Sequence, residues 1–316
     1  MHLLTSSLGI DPVLAAVVAR YSAAGVAANT VRAYQSAWGA FTGWCLARNL
    51  ESLPATPWTC AAYLAERAGS LHPTTLAVHL AAIRQRHVAS NLDSPTTSTD
   101  VVAVMRGIRR EHGRAPAKKA ALGPGELRTL LGSLGTSLID QRDRALLLLG
   151  FCAALRRSEL VGLDVEDVVF TDEGMFLQLR RSKTDSKGAG RLVAVERGAH
   201  SDTCPCATLK SWLLGSRVEN GPLFRGISRH GAVGQRRLAG RAVARILQRR
   251  ASAVDLGDLD LAGHSLRSGF ATAAAAAHVE ERDIAERTGH RNLGVLRGYI
   301  HKGRPFENGL TQKLGF

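Results

Sequence analysis

The stretch HGRAPAKKAALGPG at residues 112–125 divides the chain, because it mixes proline, glycine, alanine and lysine without hydrophobic periodicity. Such a segment is typical of a linker between independently folded parts. Of the 316 residues, enough lie on each side to bury a separate hydrophobic core. We therefore predict two domains, residues 1–112 and 125–316, joined by a linker at 113–124.

The first domain is predicted to be an all-α helical bundle. Asn29-Thr30 is a good helix start, and apolar residues follow it at spacings of three and four: Val31, Tyr34, Trp38, Phe41 and Cys45. We expect these aromatic residues to pack in a core rather than to stack on bases. Pro73-Thr74-Thr75 begins another helix. Its inner face is predicted to carry Leu76, Leu80, Ile83 and His87, with His79, Arg84 and Arg86 elsewhere.

The second domain begins with helical patterns and changes character at residues 165–195. Three runs there, 168–171, 175–181 and 191–195, are rich in β-forming residues. They are separated by TDEG and by SKTDSKGAG, which are turn-forming sequences. We predict a small antiparallel sheet with two turns, followed by helices from about residue 207 to the end. The predicted fold is mainly α with this one small antiparallel β-sheet in the C-terminal domain.

The charge of the chain points to a polyanionic partner. The net charge is +14 and the sequence pI is about 10.3, and such a surface attracts nucleic acids. Residues 1–112 hold 9 basic and 6 acidic residues, a net +3, while residues 113–316 hold 32 and 21, a net +11. The alternative is that the high pI reflects solubility or an arginine-rich genome.

Cysteine content and hydropathy indicate a reduced, cytoplasmic protein. Five cysteines are too few for a disulfide scaffold at this length. We see no signal peptide, and the longest apolar run, at 145–155, is too short to span a bilayer. His200, Cys204 and Cys206 could suggest zinc, but their spacing is unusual and a fourth ligand is not evident. A helix start is the preferred interpretation, and we expect no metal and no cofactor.

Four places in the second domain carry residues suited to phosphate chemistry. ALRRSELVGL contains Arg156 between two helices, and RRSKTDSKGAGR contains Lys183 near a hairpin turn. GHSLRSGF contains His264 and Arg267, which share a face if helical. TGHRNLGVLRGYI contains His290 and Tyr299.

Together these side chains could bind a phosphodiester and attack it with a phenol. The planar arginine fork donates two parallel hydrogen bonds to phosphate and stays charged. A tyrosine has a pKa of about 10 and is mostly protonated at neutral pH. A nearby histidine and surrounding positive charge can help to remove its proton. A lysine can protonate the departing oxygen. No carboxylate cluster accompanies these residues, so we expect the cationic side chains to stand in place of Mg²⁺.

Each piece has a structural alternative when it is taken alone. An isolated HxxR is usually accidental, and a tyrosine near a C-terminus usually packs in the core. RRSEL could be simply a helix start with Ser158 as its cap. The joint occurrence of all pieces, in order, favours the functional interpretation.

The chain resembles the tyrosine recombinases, also called the phage integrase family, most specifically in ALRRSEL, HSLRSGFAT and TGHRNLGVLRGYI. The resemblance covers nearly the whole chain. It implies that Tyr299 attacks to give a 3′-phosphotyrosine and that Arg156 and Arg267 clamp the scissile phosphate. It implies that His264 assists as acid or base, that His290 supports the phosphate and that Glu159 buttresses the site. Lys183, with Lys187 as the alternative, is then the general acid for the 5′-hydroxyl.

The resemblance also implies partners and an architecture. A helical N-terminal core-binding domain and a C-terminal catalytic domain would clamp double-stranded DNA. Similar proteins act as a homotetramer on two duplexes at a recombination site with inverted repeats, through a Holliday junction and without ATP, metal or membrane. Accessory proteins and association with the nucleoid are compatible with this picture, and residues 303–316 are expected to dock on a neighbouring subunit. Expected DNA contacts are Arg32, Arg84, Arg86, Arg181 and Lys187.

Two other functions remain as alternatives. A type IB topoisomerase uses a similar residue set, but usually has lysine at the position of His264. A DNA-binding regulator that has lost catalysis would show damage among the site residues, and the sequence shows none.

Overall fold

The computed structural model describes residues 11–113, 119–180, 190–290, 292–307 and 309–315. Contacts divide the chain into two units, Met1–Pro116 and Ala117–Phe316.

The regular structure described in the first unit is helical. A proline in the first turn or a hydroxyl cap begins several of these helices: the Thr56 hydroxyl accepts the Thr59 N–H at 3.0 Å, and Ser98 caps Val101 in the same way. A short 3₁₀ turn covers Pro95–Thr97. The helices are α1 (Pro12–Ala24), α2 (Ala28–Leu46), α3 (Pro57–Arg67), α4 (Pro73–Ala89) and α5 (Thr99–His112).

The core of this unit confirms most of the predicted helix faces. Phe41 and Cys45 on α2 are fully buried, whereas Val31 at its start is 37% exposed. On α4 the predicted inner residues Leu76, Ile83 and His87 are buried.

His79 is the exception on α4. The prediction that it lies away from the core is wrong, because its Nδ1 lies 2.7 Å from the hydroxyl of the buried Tyr63. A buried phenol hydroxyl needs a hydrogen-bond partner, and His79 provides it.

The second unit combines helices with two small sheets. Its elements are α6 (Pro124–Gly132), α7 (Leu138–Cys152), α8 (Arg157–Gly162), β1 (Val168–Phe170), β2 (Gly174–Leu179), β3 (Arg191–Glu196), α9 (Pro205–Ser216), β4 (Arg225–Ile227), β5 (Val233–Arg237), α10 (Gly240–Ser252), α11 (Ser265–Ala276), α12 (Glu281–Thr288), α13 (Leu293–Gly303) and α14 (Leu310–Lys313).

The predicted antiparallel sheet is confirmed, with strand order β1-β2-β3. Alternate residues of β2 and β3 face the core, as Leu177, Val193 and Val195 do. A second sheet, the hairpin β4–β5, was not predicted. The expectation of helices alone after residue 207 is therefore wrong over residues 225–237.

Helix α9 begins as the sequence indicated. Cys204 precedes it, and its Sγ accepts the Ala207 N–H at 3.4 Å. In the described ranges no three His, Cys, Asp or Glu side chains are grouped to hold a metal ion. None of the helices described is both long and apolar enough to cross a membrane.

Helix α11 lies at the centre of the second unit. It packs on α7, α12 and α13, and its first residue, Ser265, accepts the Leu122 N–H through its carbonyl at 3.1 Å. This position places the N-terminal end of α11 beside the start of α8 and the residues that follow α12.

Candidate active site

Arg156 lies at the sharp turn between α7 and α8. The turn is made by Ala154, which has a positive φ of 50°, and Arg156 itself caps α8. The buried Glu159 accepts both the Arg156 backbone N–H at 2.8 Å and its Nη1 at 2.6 Å. Ser158 is therefore not the cap. Glu159 therefore holds both the backbone and the guanidinium of Arg156.

Arg267 is held on α11 just behind His264, which caps that helix. Its side chain is 1% exposed, and Nη1 donates to the Ala154 carbonyl at 2.9 Å. Nη2 is buried and has no hydrogen-bond partner among the described residues. Burial, followed by the charge of Arg156, lowers the pKa of Arg267 to about 10. The guanidinium is therefore charged at neutral pH and has a free donor.

The end of α12 and helix α13 bring His290 and Tyr299 to the same place. Gly289 ends α12 in the left-handed conformation with φ 62°, and its carbonyl accepts Arg156 Nη2 at 3.2 Å. His290 Nδ1 lies 2.7 Å from the Thr288 hydroxyl. Tyr299, half-buried on α13, places its hydroxyl 2.9 Å from His264 Nε2.

The surroundings keep both histidines neutral at pH 7. Burial, with the nearby charges of Arg267 and Arg156, lowers the pKa of His264 below its ordinary 6.5. The same causes, in the same order, lower the pKa of His290 to about 4. Burial raises the pKa of Tyr299, and the charge of Arg267 opposes that rise. A protonated phenol thus faces a neutral imidazole that can accept its proton.

Five of the predicted catalytic residues and Glu159 come together in this site. Lys183, Arg181 and Lys187 lie outside the described residues. The strands that flank them are paired, with Leu179 of β2 opposite Arg191 of β3.

The predicted DNA contacts in the first unit are exposed side chains on two helices. Arg32 lies on α2, where its Nη2 donates to Asn29 at 2.6 Å. Arg84 and Arg86 lie on α4, and the Arg86 guanidinium is 5.8 Å from the centre of the Trp38 ring.

Arg191, at the start of β3, borders the site and was missed by sequence reasoning. Its Nη2 lies 3.6 Å from Glu159 Oε2. The signal was present in RLVAVE, because Arg191 shares the inward face of the strand with Val193 and Val195. A charged residue in an inward position needs a partner or a function.

The side chains of this site are suited to bind the oxygens of a singly or doubly charged anion. Two guanidinium groups, one with a free buried donor, lie beside a phenol and a neutral imidazole. Such donors stabilise charge that develops on phosphoryl oxygens.

Comparison with known proteins gives consistent results. The model of the phage integrase family matches residues 120–304. An integrase/recombinase xerD homolog of Selenomonas ruminantium is 33% identical over 291 residues, covering 90% of this chain and 85% of the relative. The recombinase cre of Escherichia phage P1 is 28% identical over 281 residues, covering 82% and 80%. A solved lambda integrase dimer bound to a COC′ core site has a similar fold, with a TM-score of 0.60 at 16% identity, covering 92% of this chain and 94% of that chain.

Proposed function

Because the chain belongs to the phage integrase family and is a tyrosine-type site-specific recombinase, we propose that it cuts and rejoins DNA through a covalent bond between Tyr299 and a 3′-phosphate. The observation that carries this proposal is the 2.9 Å contact between the Tyr299 hydroxyl and His264 Nε2. It lies beside Nη2 of Arg267, which is buried and has no hydrogen-bond partner within the described part of the chain. One site thus holds a nucleophile, a group that can accept its proton, and a hydrogen-bond donor that can bind an anion.

In the cleavage step, Tyr299 Oη forms a bond to phosphorus while the bond from phosphorus to the 5′-oxygen breaks. The phenolic proton passes to His264 Nε2, whose lowered pKa keeps it unprotonated at neutral pH. The departing 5′-oxygen takes a proton from Lys183, or from Lys187 in the alternative. Rejoining is the reverse reaction, with a 5′-hydroxyl from the other duplex as the nucleophile.

The two arginines supply the charge that the transition state requires. Glu159 orients Arg156 through two hydrogen bonds, so its remaining donors are fixed before the substrate binds. Arg267 offers Nη2 to a non-bridging oxygen of the phosphate. We place His290 beside the same phosphate, with its ring held by the Thr288 hydroxyl. Donors set in place beforehand need no reorganisation during the reaction, which is how such sites lower barriers.

The phosphotyrosine bond retains the energy of the phosphodiester, so strand exchange proceeds without ATP, and cationic side chains serve in place of a metal. Exchange of one strand pair, then the other, passes through a Holliday junction. We assign DNA binding to the helical first unit and catalysis to the second unit. The working assembly is a homotetramer on two duplexes, each with inverted repeats.

Covalent trapping tests this proposal. The purified protein is incubated in EDTA with DNA fragments from the region flanking its gene, and adducts are resolved on a denaturing gel. We expect an adduct with the wild type and with Tyr34→Phe, a control in the first unit. Tyr299→Phe should form none, yet bind DNA within about twofold of the wild type, because its other phosphate contacts remain. An adduct with Tyr299→Phe would remove Tyr299 from the mechanism.

A further inference from the structure

We propose that Arg191 is a positioning residue for recombination, which sets the distance between Arg156 and His290 by binding the supports of both. This inference rests on the site proposed above. None of the proposed catalytic steps uses Arg191, although its guanidinium contacts Glu159 and the last turn of α12.

The first support is the end of α12. Arg191 Nη1 donates to the carbonyls of Glu286 at 3.2 Å and Arg287 at 2.9 Å. These carbonyls belong to the last turn of the helix, where unpaired acceptors and the helix dipole favour a cation. His290 follows this turn after a single residue, so the position of its ring depends on where α12 ends.

The second support is Glu159. Arg191 Nη2 lies 3.6 Å from Glu159 Oε2, which also accepts the Arg156 backbone N–H. The other oxygen of the same carboxylate binds Arg156 Nη1. One buried carboxylate therefore lies close to two guanidinium groups: it accepts hydrogen bonds from Arg156, and Arg191 Nη2 approaches it at the distance of an ion pair.

Gly289 shows how closely these parts fit. A Cβ at this position would lie 3.0 Å from Arg191 Nε and 3.1 Å from its Cζ. The backbone conformation of Gly289, with φ 62°, also favours glycine. The Gly289 carbonyl in turn accepts Arg156 Nη2, so this residue touches both arginines.

The placement is costly for stability, which argues for a functional reason. Arg191 Nε and Nη2 are buried without a hydrogen-bond partner among the residues described. Burial, as the main cause, lowers the pKa of Arg191; Glu159 opposes this and the charge of Arg156 adds to it. Apolar replacements of buried charged groups are often neutral or stabilising, so anchoring a helix alone does not require an arginine here.

Arg287 provides a matched control on the same helix. It also ties α12 to its surroundings, since Nη1 donates to the Cys152 carbonyl and Nη2 to Glu196. No contact described for its side chain reaches Glu159 or Gly289. Loss of Arg287 therefore removes an anchor of α12 and leaves the supports of Arg156 in place.

The test compares Arg191→Ala, Arg191→Lys and Arg287→Ala in single-turnover adduct formation. We expect Arg191→Ala to slow the reaction about 10- to 100-fold, because small displacements of reacting groups have effects of this size. DNA affinity should stay within about twofold. Arg191→Lys should recover only part of the rate, because a point charge cannot bind both supports as a planar fork does. Arg287→Ala should react within about threefold of the wild type.

A second readout follows His290 itself by NMR titration of its ring without DNA. The groups facing it are Arg267, Arg156, His264 and Arg191, together with the Thr288 hydroxyl and the Tyr299 ring. Its pKa, lowered to about 4, should rise in Arg191→Ala and stay in place in Arg287→Ala. Part of this rise comes from the lost charge of Arg191 itself. Arg191→Lys keeps that charge, so a pKa of His290 that still departs from the wild-type value in Arg191→Lys reports a change in the position of the ring.

Equal rates for Arg191→Ala and Arg287→Ala, with His290 titrating alike in both, would overturn the inference. A wild-type protein that forms no Tyr299-dependent adduct would instead defeat the proposed function. In that case the His290 titration in Arg191→Lys, which keeps the charge, still decides whether Arg191 positions this ring.

Discussion

At the scale of single residues, Arg267 shows that the site is built for an anion. Its Nη2 is buried without a partner among the described residues. A buried donor without a hydrogen-bond partner lowers the stability of the folded state by about 1–3 kcal/mol, and a charged donor lowers it by more. In the proposed mechanism a phosphate oxygen accepts from this donor, which offsets the cost when DNA binds and leaves the donor in place for the transition state.

His264 gives the first prediction at this scale. Its pKa is lowered, so the ring is neutral at pH 7 and becomes protonated only as the pH falls below about 6.5. Adduct formation should therefore be constant near neutral pH and decline on the acid side, below the ordinary histidine pKa. His264→Gln should be slower by roughly 10²- to 10⁴-fold and should lose this acid decline. A decline that persists in His264→Gln would assign it to another group.

Motif reasoning picked out Glu159 and the residues that lie together around Tyr299, but not Arg191. The residues that lie together around Tyr299 could be predicted because their combination of side-chain types suits phosphate chemistry. Arg191 escaped, because its role depends on carbonyls of α12 that lie about a hundred residues away in the sequence. His79 was misplaced for the same reason, since its partner Tyr63 belongs to another helix.

At the scale of elements, α11 and α13 form the frame of the reaction. His264 caps α11, Arg267 lies on that helix, and Tyr299 lies on α13. Ala271 and Ala275 are fully buried between them, against Leu296. Small side chains allow this close approach, which accounts for the alanine run in the sequence. The contact between the His264 and Tyr299 side chains depends on the spacing of these two helices.

Gly269 on α11 allows a prediction about this frame. A Cβ there would lie 1.8 Å from the Leu122 carbonyl oxygen, so Gly269→Ala must displace α11 or the segment before α6. We expect a loss of at least about 2 kcal/mol in the free energy of unfolding, measured by denaturant titration. The control is Gly298→Ala on α13, where a Cβ meets nothing within 4 Å. That change should stabilise the protein by up to ~1 kcal/mol, and a stable Gly269→Ala would refute the tight packing.

Elements were predictable where the pattern of side chains repeats. The sheet β1–β3 alternates buried and exposed residues, so its strands could be placed within about two residues. The hairpin β4–β5 has no such signal, because four of the five residues of β5 are exposed. Its strands are defined by backbone pairing and by packing of neighbours rather than by their own hydrophobicity.

At the scale of the whole molecule, both units carry positive charge, net +4 over residues 1–116 and +10 over residues 117–316. Sequence alone was enough to predict this preference for a polyanion, because net charge does not depend on the fold. The contribution of individual side chains does depend on it.

The charge on α4 gives a prediction at this scale. Arg84 and Arg86 are exposed on that helix, and we assign both to DNA phosphates. Replacing both with alanine should lower the slope of log affinity against log salt by about 2, since each phosphate contact accounts for roughly 0.9. The control pair, Arg109→Ala and Arg110→Ala on α5, removes the same charge from a helix to which no DNA contact is assigned. If the two double variants gave equal salt slopes, Arg84 and Arg86 would contribute only to the net charge and not through direct phosphate contacts.

The most direct test of the whole account is to identify the residue that carries the DNA. The trapped adduct is digested with nuclease and protease, and the peptide that retains a nucleotide is sequenced by mass spectrometry. The chain has four tyrosines, Tyr21, Tyr34, Tyr63 and Tyr299. We predict a nucleotide linked through its 3′-phosphate on Tyr299 alone. A nucleotide on any other residue, or one linked through its 5′-phosphate, would contradict this prediction.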